Sequence, residues 1–277
     1  MKEHTKVATV QEQACAVLRS LSASSANNGI EIAAKGGIEI AAKGGIVAIL
    51  AAMKEHPEVV EVQHQACGAI SNLSADNSNN RIEISANGGI VAILAAMKEN
   101  SKVENVQNQA CRALSHLSTH NHSKIEIVSN GGIVAILAAM THHSKVPAVQ
   151  MRACGALSNL SAHNDSKIQI AAHGGIVAIL TTMTEHSKVA GVQRQACEAL
   201  WRLSVNNDSN KIEIVAKGGI VAALAALEYH PTDTSIQRRV GLVLSNLTNN
   251  TAAQYTAFES PSGSAGIILA TRFPSRI

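Results

Sequence analysis

The chain has 277 residues, of which 46% are hydrophobic, 16% are charged and only 2% are aromatic. So few aromatic residues argue against a sheet-rich sandwich, whose strands favour aromatic side chains, and against a platform that stacks single-stranded bases. The net charge of +3 is too small for the dense positive field that phosphate-backbone binding requires, so nucleic acid is not an expected partner.

The N-terminal segment and the apolar segments give no sign of secretion or of a membrane. The first residues, MKEHTKVATVQEQ, lack the apolar stretch of a signal peptide. The longest apolar segments, such as GGIVAILAAM at 44–53, end after about ten residues, whereas a membrane-spanning helix needs about 20. We therefore expect no membrane span and a cytoplasmic or nuclear location.

An internal repeat determines the expected architecture. The motif V-Q-x-Q-A-C, or a variant of it, begins at Val10, Val62, Val106, Val149, Val192 and Ile236. The spacings are 52, 44, 43, 43 and 44 residues, and the long one contains a tandem copy of IEIAAKGG at 30–37 and 38–45. Such a period is typical of helical solenoids. We predict a partial repeat at 1–24, repeats at 25–76, 77–120, 121–163, 164–206 and 207–250, and a degenerate C-terminal cap at 251–277.

Each repeat is predicted to contain three helices. The first is short, as at 210–217, and ends at a Gly pair, because Gly readily adopts the left-handed conformation that follows a helix. The second has the form IVAILAAMKEH. In the loop that follows, residues 101–104 have the form of a capping box, and Pro147 is placed to begin a helix. The third helix is the longest, as at 103–118.

A helical wheel divides the third helix into an apolar face and a polar face. The apolar face holds the columns of Val106, Ala110, Cys111, Ala113, Leu114 and Leu117. The polar face holds the columns of Asn108, Gln109, Arg112, Ser115 and His116. The apolar face is predicted to be buried and the polar face to be exposed.

The pattern N-x-x-x-I-x-x-x-G-G-I-x-x-L, followed by V-Q-x-x-A-x-x-A-L-x-N-L, resembles the armadillo repeat. The resemblance extends from Val10 to about Asn250 in six copies of the third helix. HEAT repeats are the nearest alternative, but they lack the Gly-Gly junction. The resemblance implies an all-α, right-handed solenoid of three-helix armadillo repeats, whose third helices line a concave groove that holds extended peptides. Periodicity alone indicates only an α-helical solenoid.

Cysteine and histidine also recur in columns. Five Cys share one column on the apolar face, where we expect small buried side chains that are too far apart for disulfides. His56, His143, His186 and His230 share a loop column and are interpreted as surface residues. His116, His120 and His122 have the spacing of metal ligands, but His120 lies in a polar column at a helix end. We therefore predict no metal site.

Motifs for catalysis are missing from the sequence. It contains no G-x-x-x-x-G-K-[ST], G-x-G-x-x-G or G-x-S-x-G motif, and its carboxylates do not recur as inward-facing pairs. We therefore predict that the chain is not an enzyme and that it binds no cofactor.

The resemblance points to one column of peptide-binding residues. The position ten residues after the repeat Val, which holds Asn in armadillo repeats, is occupied here by Ser20, Asn72, His116, Asn159, Arg202 and Asn246. An amide can donate and accept together, so such a column can hold the backbone of a peptide. One turn earlier, the importin-α subgroup carries Trp, which this chain lacks there. Recognition of nuclear localisation signals is therefore not expected.

The fifth copy is the predicted centre of binding because exposed Trp and Arg are enriched in binding hot spots. The predicted groove residues are Asn72, Arg112, His116, Asn159, Arg194, Glu198, Trp201, Arg202 and Asn246. The leading hypothesis is a non-catalytic scaffold that binds an extended segment of mixed or acidic charge. The alternative is a transport or nucleic-acid-associated adaptor that uses the Arg-bearing face. Random drift of surface positions would explain the variation in these columns equally well.

Two further expectations concern the ends of the chain and the duplicated segment. The first residues align with the end of a second helix, which indicates either a piece of a longer array or end-to-end self-association through an uncapped repeat. The duplicated IEIAAKGG segment is predicted to form a local bulge, because each repeat of a solenoid contacts only its neighbours.

Overall fold

A computed structural model describes residues 4–23, 44–75 and 77–248, which form fifteen helices and no strand. In chain order these are α1 (Ala8–Leu21), α2 (Gly45–Glu55), α3 (Val60–Ser74), α4 (Ser78–Ala86), α5 (Gly89–Glu99), α6 (Glu104–Leu117), α7 (Asn121–Ser129), α8 (Gly132–His142), α9 (Pro147–Leu160), α10 (Asn164–Ala172), α11 (Gly175–Glu185), α12 (Ala190–Ser204), α13 (Asp208–Ala216), α14 (Gly219–Tyr229) and α15 (Thr234–Thr248). The predicted all-α class is confirmed, and the helices begin and end within two residues of their predicted bounds.

The helices form layers that follow the repeat. The third helices are α1, α3, α6, α9, α12 and α15, and each packs most extensively against the third helices of the neighbouring copies. The second helices pack against the third helix of their own copy and, less extensively, against one another. The hydrophobic core runs between these layers along the described chain. This arrangement is the predicted solenoid.

The predicted apolar face of the third helix is buried. Val106, Ala110, Cys111 and Leu114 are fully inaccessible to solvent, and the same columns are buried in the second, fourth and fifth copies. All five Cys are buried and free of disulfides, as predicted. Burial raises the pKa of the Cys111 thiol to about 12, so this column packs as small apolar side chains and carries little reactive thiolate.

The Gly-Gly junctions have the predicted conformation. The first Gly of each described pair has a positive φ, for example +79° at Gly131 and +77° at Gly174. The second Gly begins the next helix in a crowded place. A Cβ atom at Gly132 would lie 2.7 Å from the Ile127 carbonyl oxygen. Both glycines are therefore needed for the sharp turn between the first and second helices.

The predicted capping box at 101–104 is wrong. Helix α6 begins at Glu104, its N-cap residue is Val103, and no side chain caps it. Val103 is half-buried against the core. The start of this helix is therefore fixed by apolar packing and by the repeat glutamine described next, since Ser101 lies too far before the helix to serve as its cap.

A buried glutamine joins the second and third helices in the second to fifth copies. In the third copy, the Gln107 amide nitrogen donates to the carbonyl oxygens of Met97 at 2.8 Å and Asn100 at 3.0 Å. Gln63, Gln150 and Gln193 make the same pair of bonds in their copies. These amides satisfy carbonyls at the end of the second helix, which has no further turn to bond them.

Two predictions fall on parts of the chain outside the described residues, namely the bulge at the duplicated segment, most of which lies in 24–43, and the degenerate cap at 251–277. Among the described helices, none alone has the length and apolarity to cross a membrane. Taken together, α7 and α8 have the length and hydropathy of a membrane span, but the chain bends by 73° between them.

Replacing Gln107 by Leu tests the glutamine contact. We expect a loss of about 2 kcal/mol in the free energy of unfolding, because buried carbonyls lose their donor. Gln237 provides a matched control, since it occupies the same column in the sixth copy but is exposed. The Gln237→Leu variant should stay within about 0.5 kcal/mol of the parent. Equal urea midpoints for the two variants would contradict this account.

Candidate functional site

The exposed side of the third helices is the candidate site. We call it the third-helix face, and it consists of the side chains that lie two, three, six, nine and ten positions after the repeat Val on α1, α3, α6, α9, α12 and α15. All nine residues predicted for the groove lie on this face, and all nine are half-buried. They are spread over copies two to six and do not form one compact cluster.

Part of the predicted Asn column bonds successive third helices to each other. Asn72 donates to the Arg19 carbonyl at 3.0 Å, and Asn159 donates to the Ser115 carbonyl at 2.9 Å. His116 replaces Asn in this role, with its Nδ1 atom 2.8 Å from the Ser71 carbonyl. Because a carbonyl only accepts, the His116 proton is on Nδ1. These donors therefore stabilise the layer of third helices. The side-chain oxygen of Asn159 has no partner among the described residues.

The arginines of the fifth copy, predicted as the centre of binding, are paired with carboxylates. Arg202 contacts Glu198 at 2.8 Å, and Arg239 contacts the other oxygen of Glu198 at 3.2 Å. Arg194 pairs with Asp233 at 2.9 Å. An anionic ligand would have to compete with these carboxylates.

The other two predicted residues in this region differ in their contacts. Trp201 is half-buried and packs against the core, so only part of the indole is open to a partner. Asn246 donates to the Ser204 hydroxyl at 2.6 Å. Trp201 therefore offers a partly exposed apolar surface, while the Asn246 amide is already engaged within the layer.

Lysine and arginine are unevenly distributed between the layers. The described third helices contain seven Arg and no Lys, while every described Lys lies on a first helix, a second helix or a loop. The seven Arg are Arg19, Arg112, Arg152, Arg194, Arg202, Arg238 and Arg239, and all lie on the third-helix face. Guanidinium groups suit planar, bidentate contacts to carboxylate and phosphate better than ammonium groups do. The third-helix face is therefore an arginine surface.

The middle of this face has positive charge without a carboxylate. The Arg112 guanidinium donates to the Asn72 side-chain oxygen at 3.1 Å, and its Nε atom is buried with no partner. Burial and then the charges of Arg152 and Arg19 hold the pKa of Arg112 below its usual value. Arg152 makes no hydrogen bond or ion pair to another described residue. Sequence reasoning missed Arg152, although the concentration of Arg on the third helices was visible in the sequence.

The loop column of histidines, which the sequence analysis interpreted as surface residues, is partly buried in the structure. His143 and His186 are buried, and their Nε2 atoms lie 2.9 and 2.6 Å from the carbonyls of Ser101 and Ser144 in the preceding loop. Asn100 makes the equivalent bond in its copy. The column therefore ties neighbouring loops together, and the prediction of surface histidines was wrong because these rings fill the space between successive copies.

Exposed apolar residues recur on the other side of the solenoid. They are Val47, Val91, Val134, Val177 and Val221 on the second helices and Ile82, Ile125, Ile168 and Ile212 on the first helices. The sequence analysis did not single out these columns, although their regular spacing was the available signal. They lie on first and second helices and are therefore separate from the third-helix face.

Comparison with known proteins bears on this architecture. A sequence-family model described as the LRRK2 ARM repeat matches residues 1–173, which is more than half of the chain. The chain belongs to this armadillo-repeat family. No curated protein sequence matches it.

Solved structures give the same armadillo architecture. An engineered protein is 22% identical with a TM-score of 0.74, and the match covers 88% of this chain and 92% of that one. A designed armadillo repeat protein is 16% identical with a TM-score of 0.72, covering 85% and 92%. A structure from work on a phosphorylation switch in the cadherin–β-catenin interaction is 18% identical with a TM-score of 0.50, covering 86% and 53%. At these identities the likeness shows the fold alone.

The armadillo layers do not gather metal-binding side chains in the part of the chain that is described. No three His, Cys, Asp or Glu residues there lie close enough together to hold an ion. His116, His120 and His122 accordingly do not form a metal-binding group.

Replacing His116 by Asn tests the bond between third helices. Burial, followed by the nearby arginine charges, lowers the pKa of His116 below its usual 6.5. The folded chain therefore binds fewer protons than the unfolded chain as the pH falls below 6.5, and stability is lost in that range. Asn keeps the donor but does not titrate. We expect the thermal midpoint of His116→Asn to fall less between pH 7.5 and pH 5 than that of the parent.

The control for this prediction is His122→Asn, since His122 is exposed. Its midpoint should fall as steeply with pH as that of the parent. If His116→Asn also loses as much stability as the parent at pH 5, burial of the His116 ring does not oppose its protonation.

Proposed function

We propose that this armadillo chain is a non-catalytic scaffold that binds an extended segment of a partner protein along the third-helix face. The observation that carries the proposal is the continuous row of half-buried polar side chains on six successive third helices. In the armadillo resemblance this row lines the concave groove. Half-buried polar atoms such as the Asn159 side-chain oxygen and the Arg152 guanidinium are available to a peptide backbone or side chain.

The length of the face sets the length of the partner segment. Packed helices lie about 10 Å apart, so six third helices span about 50 Å. An extended chain advances about 3.3 Å per residue, and about 15 residues would cover the face. Each copy would then contact about three residues, whose side chains point alternately toward the surface and away from it.

A structural neighbour supports the class of partner. The work that includes it concerns an interaction between β-catenin and cadherin, so a protein of this fold engages another protein. We extend to this chain only the general expectation of a protein partner. A cytoplasmic or nuclear location forms part of the same proposal.

Selection from a displayed library tests the proposal. The immobilised chain is used to select binders from random 15-residue peptides, and each selected peptide is measured against two double variants. Trp201→Ala with Arg202→Ala removes side chains from the third-helix face. Lys217→Ala with Val221→Ala removes one basic and one exposed apolar side chain from the outer helices next to that copy.

We expect the first variant to bind selected peptides at least about tenfold more weakly, because aromatic and Arg anchors carry much of the binding energy. The second variant should bind them as the parent does. Peptide binding should also change the emission of Trp201, the only Trp in the chain. Weakening by the outer variant alone would contradict the proposal.

The seven arginines also favour the alternative of a nucleic-acid-associated or transport adaptor. A labelled single-stranded RNA and a labelled DNA duplex are measured at rising salt concentration with the same variants. A steep loss of affinity with salt, together with a requirement for Arg202, would indicate phosphate-backbone contacts. Under the scaffold proposal, both oligonucleotides bind more weakly than the selected peptides at physiological salt.

A further inference from the structure

The charges on the third-helix face are unevenly compensated. Carboxylates partly compensate the C-terminal copies, where Glu198 and Asp233 contact three arginines. At the N-terminal end, the guanidinium of Arg19 bonds His64 and Gln65 at 3.1 Å, next to Glu61. Between these two regions lie the third and fourth copies, where no carboxylate pairs with a described arginine.

Two half-buried guanidinium groups occupy this middle region. Arg112 lies on α6 and Arg152 lies on α9. These two third helices are neighbours and pack directly against each other. The buried Nε atom of Arg112 has no hydrogen-bond partner, and no described residue bonds Arg152. A half-buried cation without a carboxylate beside it is costly, so this pair is an arrangement that an added anion would stabilise.

The neighbouring groups fit an anion with two negative charges. His116 lies beside the pair and is surrounded by positive charge from Arg112, Arg152 and Arg81. Its Nδ1 proton is engaged by the Ser71 carbonyl. At neutral pH the region therefore carries about two positive charges, both on guanidinium groups. A carboxylate would neutralise one of them, whereas a phosphate monoester carries a charge of about −1.5 to −2 and three acceptor oxygens.

We propose that Arg112 and Arg152 together bind the phosphate group of a phosphoserine or phosphothreonine in the extended partner segment. The inference rests on the proposed function and specifies the recognition made at the middle of the same face. The outer N–H groups of Arg112 and Arg152 donate to the phosphate oxygens, and two guanidinium groups from neighbouring helices fix its position along the groove. Phosphorylation of the partner then controls binding.

Three degenerate 15-residue peptide libraries test this assignment. They are identical except at the central position, which is fixed as phosphoserine, Ser or Glu. Binding of each labelled library is measured by fluorescence polarisation against the parent and the Arg112→Gln, Arg152→Gln double variant. Circular dichroism melts establish that the variant is folded, and the single variant Arg152→Gln serves if the double variant is not.

We expect the phosphoserine library to bind the parent at least about tenfold more tightly than the Ser library, because hydrogen bonds between charged groups are stronger than those between neutral groups. The double variant should lose this difference. The matched control is Arg238→Gln, an exposed arginine on the same face in the sixth copy, and it should keep the difference. Free O-phosphoserine at millimolar concentration should compete with the library.

Three results would overturn the assignment. Equal binding of the Glu and phosphoserine libraries would show a carboxylate site, and a phosphoserine preference that survives in the double variant would place the phosphate elsewhere. Equal binding of all three libraries would show that charge is not recognised there. If these results occur while displayed peptides still require Trp201 and Arg202, the phosphate site fails and the scaffold proposal stands. If no peptide requires the third-helix face, the scaffold proposal itself fails.

Discussion

A buried carboxamide at the first turn of the third helix in the second to fifth copies is the contact on which the rest of the solenoid depends. Gln107 and its equivalents are 1% exposed and bond two carbonyls at the end of the preceding helix. These bonds fix the angle between second and third helices in the second to fifth copies. Because that angle repeats, the third helices stack in one layer, and the columns of His, Asn and Arg are brought into line.

Much of the fold could be predicted from the sequence, because the repeat supplies each helix several times. The Gly pairs, the buried Cys column and the bounds of the third helix all follow from local chemistry at fixed offsets. The side-chain bonds between copies did not follow. His143 and Asn159 are polar residues near helix ends, which a single repeat presents to solvent, and only the stacking of two copies gives them carbonyl partners.

The dependence of side-chain contacts on neighbouring copies also explains what could be predicted of the candidate site. The sequence identified which columns lie on the third-helix face, and the structure places all nine predicted residues there. It did not show which arginines are neutralised, because Arg194 and Arg239 meet carboxylates that lie on a neighbouring helix or just before one. Whether an arginine of a solenoid meets a carboxylate depends on the residues of the neighbouring copy. The middle of the face differs from its ends because its arginines meet no carboxylate among the described residues.

The central claim is that a partner segment lies along the third-helix face and not along the exposed valine columns. The most direct measurement is photo-cross-linking of a library-selected peptide to chains that carry benzoylphenylalanine at one position. Asn108 lies on the third-helix face, and Val91 lies on the outer side of the same copy. The account predicts a specific cross-link from position 108 and none from position 91. A cross-link from position 91 alone would contradict it.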